Sequence, residues 1–177
     1  MEPRFSLLSG LFAIALAGCA SPPAPPQAPA PLRSFVLEEA LSGQLIGQGI
    51  VTPILGSAST FDVRIEGAWD GNVLTLVEDF RYPTGTQERK TWRLTRTAPG
   101  EYVGTREDVV GQARAWQDGA SLRLEYSVLL DTPAGKLETR FQDVLYWRDD
   151  RTIENNATVS KLGLRLARVE LQLRRAN

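Results

Sequence analysis

The segment TFDVRIEGAWDGNVLTLVEDFRY, residues 60–82, alternates apolar and polar side chains with a period of two. In its first half Phe61, Val63 and Ile65 share one face, and charged residues occupy the other. This alternation is typical of a β-strand with one buried side. Asp70-Gly71 then gives a strong signal for a tight hairpin turn, and the alternation resumes after it. The segment therefore predicts two antiparallel strands joined by a short turn.

The same alternation recurs downstream, in SLRLEYSVLL (121–130) and LETRFQDVLYW (137–147), with turn-forming residues between such segments. Near the end of the chain, SKLGLRLARVELQLRR (160–175) changes phase, which predicts a strand with a bulge near Ala167 or Arg168. An amphipathic helix is the alternative interpretation of that segment. Nine or ten short strands without crossover segments predict an all-β fold, an antiparallel up-and-down barrel of lipocalin-like form. A flat or sandwiched sheet is the alternative.

The first 33 residues differ from the rest. FSLLSGLFAIALA, residues 5–17, is an apolar run of 13 residues, shorter than the ~20 that span a bilayer but typical of a secretory signal peptide. Leu16-Ala17-Gly18-Cys19 resembles a bacterial lipobox, which implies a diacylglyceryl group on the Cys19 thiol and cleavage before it. We therefore predict a signal peptide at 1–18, a lipidated Cys19 with a proline-rich tether at 19–33, and a barrel domain at 34–177. The alternative is that Cys19 is an ordinary residue of the leader.

Proline cannot donate a backbone hydrogen bond, so the tether is expected to be an extended spacer that adds nothing to the core. Because Ala20 and not an aspartate follows Cys19, we expect the lipid anchor in the outer membrane of a Gram-negative bacterium, facing the periplasm. Exposure on the cell surface is the alternative. The bilayer, through acylated Cys19, is the first predicted partner.

Composition narrows the possible functions. The net charge of −1, from 20 basic and 21 acidic residues, gives no general attraction for nucleic acid. The chain has no histidine, which excludes the ordinary catalytic triads, histidine-ligated haem and the common zinc sites. No metal, cofactor or catalytic residue is predicted.

Three segments carry a family resemblance: residues 67–96, residues 102–116 and FQDVLYWRDDRTIENNATVSKLG at 141–163. Together they resemble the bacterial lipoproteins grouped as the domain of unknown function DUF3833, over about residues 35–175. The resemblance implies a lipoprotein of lipocalin-like shape, often encoded near enzymes that modify fatty acids, with no established activity.

Two acids stand out because alternation places them on apolar faces. Glu78 is in phase with Leu76 and Phe80, and Asp143 with Phe141 and Leu145. A buried acid is costly unless it is paired or protonated. These acids are either anchors for a ligand's polar group or partners of an interior arginine, for which Arg89 and Arg106 are candidates. The predicted ligand-binding residues are Glu78, Asp143, Tyr126, Trp92, Trp147 and Arg89.

Two functions of different classes follow. In the first, the tethered barrel binds or carries a hydrophobic ligand such as a fatty-acyl lipid. In the second, the barrel is packed solid and its outer face docks another protein of the cell envelope. An enzyme acting through Glu78 and Asp143 ranks third. A void of several hundred Å³ inside the barrel would favour the first function, since ligand pockets start near about 300 Å³.

Overall fold

A computed structural model describes residues 23–24, 26–28, 33–132 and 135–176. The predicted signal peptide, Cys19 and most of the tether lie outside these residues. A short helix, α1 (Leu37–Leu41), precedes ten strands. The strands are β1 (Gly43–Pro53), β2 (Ser59–Trp69), β3 (Val73–Arg81), β4 (Gln87–Ala98), β5 (Glu101–Thr105), β6 (Ala113–Asp118), β7 (Ser121–Thr132), β8 (Gly135–Trp147), β9 (Thr152–Lys161) and β10 (Leu164–Arg175).

Each strand pairs antiparallel with its neighbours in sequence, and β1 pairs with β10 to close the barrel. The closing register runs from Leu45 opposite Arg175 to Pro53 opposite Ala167. Closure removes the unpaired edges that an open meander would leave. The predicted antiparallel up-and-down barrel of nine or ten strands is confirmed.

The opening segment folds as predicted. β2 and β3 form a hairpin whose turn is held by Asp70, since its Oδ1 accepts hydrogen bonds from the backbone N–H groups of Asn72 (2.9 Å) and Val73 (2.7 Å). Phe61, Val63 and Ile65 are buried in the barrel core. The hairpin thus sets which face of β2 and β3 points inward.

The C-terminal segment is a strand with a bulge, not a helix. The register of β9 and β10 shifts between Arg165 and Ala167, one or two residues before the predicted position. Leu162 and Gly163 form the turn before the strand, and both have positive φ (49° and 80°). Leu162 is therefore a turn residue that is 91% exposed. The alternation of leucines gave no indication that the turn includes Leu162.

Helix α1 covers one end of the barrel, and nothing in the sequence predicted it. Leu37 and Leu41 are buried in the core. Glu38 anchors the helix, because it forms an ion pair with Arg96 and its Oε2 accepts a 2.5 Å hydrogen bond from the Tyr102 hydroxyl. Gly67 permits the close packing, since a Cβ there would lie 1.8 Å from the backbone oxygen of Leu41. We call this the closed end.

The opposite end, which we call the open end, has an apolar rim. In an up-and-down barrel alternate connections lie at the same end, so the loops after β1, β3, β5, β7 and β9 lie opposite α1. Of the eight large apolar side chains that are exposed in the described part of the chain, seven lie at this end. They are Ile54, Leu55, Val110, Leu129, Leu130, Leu162 and Leu164. The eighth, Ile46, lies towards the closed end, near the start of β1.

The outer face of β8 is also covered. Alternation turns Val144 and Tyr146 outward, yet they are only 0% and 5% exposed. The cross-strand neighbour of Val144 is Arg123, whose guanidinium donates a hydrogen bond to the backbone carbonyl of Pro26. This part of the proline-rich segment therefore contacts the barrel wall, which its composition did not predict. No helix in the described ranges is long and apolar enough to cross a membrane.

Candidate functional site

The barrel encloses a cavity of about 390 Å³ that reaches from α1 towards the open end. Its walls are mainly apolar, because alternation turns one side chain in two inward from every long strand. The apolar lining includes Leu37, Leu41, Ile65, Leu76, Trp92, Leu124, Val128, Val159 and Leu171. A volume above about 300 Å³ lies in the range of ligand pockets. The barrel is hollow.

One side of the cavity carries a cluster of charged side chains. The Nε of Arg106 lies 2.7 Å from Oδ1 of Asp108, and its Nη1 lies 3.8 Å from Oε2 of Glu78. The Nζ of Lys90 lies 2.6 Å from Oδ2 of Asp108 and 3.6 Å from Oε2 of Glu88. All five side chains line the cavity. Both cations of the cluster are therefore already matched by carboxylates.

Aromatic rings hold Arg106 in place. Its guanidinium lies 4.6 Å from the ring centroid of Trp92 and 5.2 Å from that of Tyr126. Tyr126 stacks on Phe141 at 5.1 Å and meets Trp92 edge-on at the same distance. Cation–π contact offsets part of the desolvation of the guanidinium. The arginine, with a side chain only 10% exposed, is fixed in one orientation.

Asp143 forms no ion pair with Lys90 or Arg106 and has a different hydrogen-bond partner. It is 4% exposed, and its Oδ2 accepts a 3.3 Å hydrogen bond from Nδ2 of Asn155. The remaining oxygens of the pair, Oδ1 of Asp143 and Oδ1 of Asn155, are buried and have no hydrogen-bond partner among the described residues. Both side chains line the cavity. Two buried acceptors of this pair beside the cavity thus have no hydrogen-bond partner, although the Tyr126 hydroxyl also interacts with Asp143.

Burial is the main cause of the raised pKa values of the two interior acids, Glu78 and Asp143. It raises the pKa of Glu78 to about 7, against the opposing pull of Arg106. It raises the pKa of Asp143 to about 7 as well, although the hydrogen bond from Asn155, the charge of Arg106 and the Tyr126 hydroxyl favour its ionised form. An acid with such a pKa changes its charge near neutral pH. The charge state of the cavity is therefore sensitive to pH in this range.

The structure brings four of the six predicted ligand-binding side chains to the cavity: Glu78, Asp143, Tyr126 and Trp92. Of the two arginines considered as partners for the acids, Arg106 lies beside Glu78. Lys90, Asp108 and Asn155 belong to the site but were not among the predicted residues. Lys90 is in phase with Trp92 and Leu94, and Asn155 with Ile153 and Ala157, so the alternation itself could have identified both.

Arg89 and Trp147 are not brought to the cavity. Arg89 lies one residue out of phase with Trp92 and therefore points outward, where it is 69% exposed and pairs with Asp79 at 2.6 Å. Trp147 is buried, but at the closed end, where it packs against Phe35 at 6.1 Å beneath the guanidinium of Arg33. It supports the base of the barrel and does not line the cavity.

The arrangement suits binding. Within the described ranges, no group of three or more acidic or cysteine side chains converges as metal ligands would. The charged cluster is internally paired, and Asp143 and Asn155, each with one buried acceptor that has no partner among the described residues, line a mainly apolar space. A molecule with an apolar body and a small polar group is complementary to these walls.

Comparison with solved structures identifies the fold. The S-type phycobiliprotein lyase CPES from Guillardia theta superposes with a TM-score of 0.59 at 8% identity, over 79% of this chain and 90% of the lyase. The protein Rv2717c from M. tuberculosis gives a TM-score of 0.55 at 17% identity, over 77% of this chain and 93% of the other. The barrel therefore has the lipocalin-like form that the alternation predicted. At these identities the likeness concerns the fold alone.

Sequence comparison gives the family. No curated protein matches the chain. The model of a family described as a protein of unknown function, DUF3833, matches residues 13–175, in agreement with the resemblance carried by the three segments. The chain belongs to the DUF3833 family.

Proposed function

We propose that this protein is a lipid-anchored protein of the bacterial envelope that holds a hydrophobic ligand, such as a fatty-acyl lipid, inside its barrel. The observation that carries the proposal is the cavity of about 390 Å³ with its predominantly apolar walls. An empty apolar space of this size is costly to a protein core unless a ligand fills it. The same cavity weighs against the alternative of a solid-packed barrel with a purely structural role.

The open end supports the binding proposal. Its seven exposed apolar side chains lie at four of the five connections of the barrel end opposite α1. Leu55 and Leu162 are 88% and 91% exposed, and both lie in loops between strands. Exposed apolar patches of this kind mark sites that meet a membrane or a partner. A rim of leucine and isoleucine around the opening gives an acyl chain an apolar path between a bilayer and the cavity.

The anchor is proposed from the sequence. Leu16 to Cys19 matches the pattern of a lipobox, and the family match begins upstream of it, at residue 13. Two or more acyl chains are needed for stable attachment to a bilayer. Acylated Cys19 would hold the barrel beside the membrane that supplies its ligand, at the periplasmic face of the outer membrane.

Native mass spectrometry of the chain beginning at Ala20 tests ligand binding. This chain keeps every described residue, and the whole described core lies between Phe35 and Leu173. We expect the protein to purify from bacteria with one bound lipid that dissociates on activation. Protein that carries no lipid, and that binds none after incubation with a total lipid extract, would contradict the proposal.

A further inference from the structure

The polar group of the ligand can be inferred from the groups that line the cavity. Four acids face it, Glu78, Glu88, Asp108 and Asp143, against two bases, Lys90 and Arg106, within the described part of the chain. Both bases already contact carboxylates at 2.6–2.7 Å. A ligand carboxylate would therefore compete with these protein carboxylates for both bases and would add a fifth acid to the space. Like charges in a poorly solvated site repel strongly.

The hydrogen-bonding groups of the cavity that have no partner favour a ligand that donates hydrogen bonds, which a carboxylate cannot do. Oδ1 of Asp143 and Oδ1 of Asn155 are acceptors, both buried and both without a partner among the described residues. Asp143 itself is 4% exposed. A buried acceptor without a donor costs free energy that a ligand's N–H or O–H group would recover. Arg106 does not supply that donor in the structure, since its Nε and Nη2 donate to Asp108 and its Nη1 lies 3.8 Å from Glu78. The Tyr126 hydroxyl also interacts with Asp143, yet neither Oδ1 atom has a hydrogen-bond partner among the described residues.

We propose that the cavity selects apolar molecules whose polar group donates hydrogen bonds, a hydroxyl or an amine, and discriminates against carboxylates, with Asp143 and Asn155 as the acceptors. This inference rests on the proposed function and specifies the ligand class for the same cavity. Among the hydrophobic ligands of that proposal, it favours those with a hydroxyl or an amine, such as a long-chain alcohol or amine, over a free fatty acid.

Competition among three ligands of equal chain length tests the selection. Dodecan-1-ol, dodecylamine and dodecanoate would displace the neutral fluorophore N-phenyl-1-naphthylamine from the chain beginning at Ala20 at pH 7.5. We expect the alcohol and the amine to compete at least tenfold more tightly than the carboxylate. Equal affinity for all three, or preference for dodecanoate, would overturn the head-group inference while leaving ligand binding intact. If neither the fluorophore nor any of the three ligands bound, the proposed function itself would fail.

A substitution assigns the selection to Asp143. Asp143→Asn keeps the shape of the side chain and replaces one acceptor oxygen by a donor amide group. The preference for dodecan-1-ol over dodecanoate should therefore fall about tenfold or more, because that is the loss expected for a hydrogen bond to a charged acceptor. Asp79→Asn is the matched control, because Asp79 is an acid of the outer face paired with Arg89. An unchanged preference in Asp143→Asn would overturn the assignment. The ranking in the wild-type protein tests the inference independently of how well either variant folds.

Discussion

Asp143 should make the stability of the barrel fall as pH rises towards 7. Its pKa is about 7 in the folded protein and 3.8 as the ordinary value. Between these values the folded state binds a proton that the unfolded state has released, so the free energy of unfolding decreases with increasing pH. A difference of roughly 3 pKa units at about 1.4 kcal/mol each gives about 4 kcal/mol. This stabilisation is fully present below pH 4 and is lost by about pH 8.

The measurement is urea unfolding of the wild type and of Asp143→Asn, followed by tryptophan fluorescence at several pH values from 4 to 8.5. Other acids titrate in both proteins, so the difference between their unfolding free energies reports on Asp143 together with its electrostatic coupling to Glu78. That difference should shift in favour of Asp143→Asn by about 4 kcal/mol between pH 4 and pH 8.

Asp79→Asn is the control, because the contribution of Asp79 to stability changes with pH in the opposite direction. The hydrogen bond from Arg89 lowers the pKa of this exposed acid, so its contribution to stability is present at neutral pH and is lost on acidification. If the difference in unfolding free energy between the wild type and Asp143→Asn stayed constant from pH 4 to 8.5, Asp143 would titrate like an exposed acid. The conclusion that burial raises its pKa would then be wrong.

Three further predictions concern other parts of the molecule. Cys19→Ser should move the protein from the membrane to the soluble fraction without unfolding the barrel, and equal sedimentation of both forms with membranes would exclude lipidation of Cys19. Gly67→Ala should lower the free energy of unfolding by about 1–3 kcal/mol, because the new Cβ meets the backbone of Leu41 at the closed end; an unchanged chemical denaturation midpoint would refute this packing. The double variant Leu55→Ser and Leu162→Asn should reduce binding of the chain beginning at Ala20 to phospholipid vesicles at least tenfold, whereas Ile46→Ser, a change at an exposed residue towards the closed end, should not; equal binding by all three proteins would show that the rim does not contact lipid.

Alternation was sufficient to predict the fold, because every long strand has one buried face. It also placed Glu78 and Asp143 in the interior, since each is in phase with buried neighbours such as Leu76 and Leu145. Of the two arginines named as candidate partners, the alternation distinguishes the outward one from the inward one. Arg89 is out of phase with Trp92, whereas Arg106 continues the inward series of Tyr102 and Gly104.

Other features had no sequence signal. Helix α1 has five residues, too few for a helical period to be visible. Asp108 follows β5 in a loop, where alternation no longer reports direction, so its contacts with Arg106 and Lys90 depend on the tertiary fold. The unpaired acceptors of Asp143 and Asn155 likewise arise only when β8 and β9 are placed side by side.

A ligand that occupies the barrel interior should be excluded when a large side chain fills the cavity. Ala157 lines the cavity and is 5% exposed, so Ala157→Phe places a ring in the space that the ligand would occupy. The measurement is the affinity of N-phenyl-1-naphthylamine for this variant and for the wild type, with circular dichroism to verify that both are folded. We expect at least a tenfold loss of affinity in the folded variant. Unchanged affinity would show that apolar molecules bind outside the barrel interior and that the proposed function is wrong.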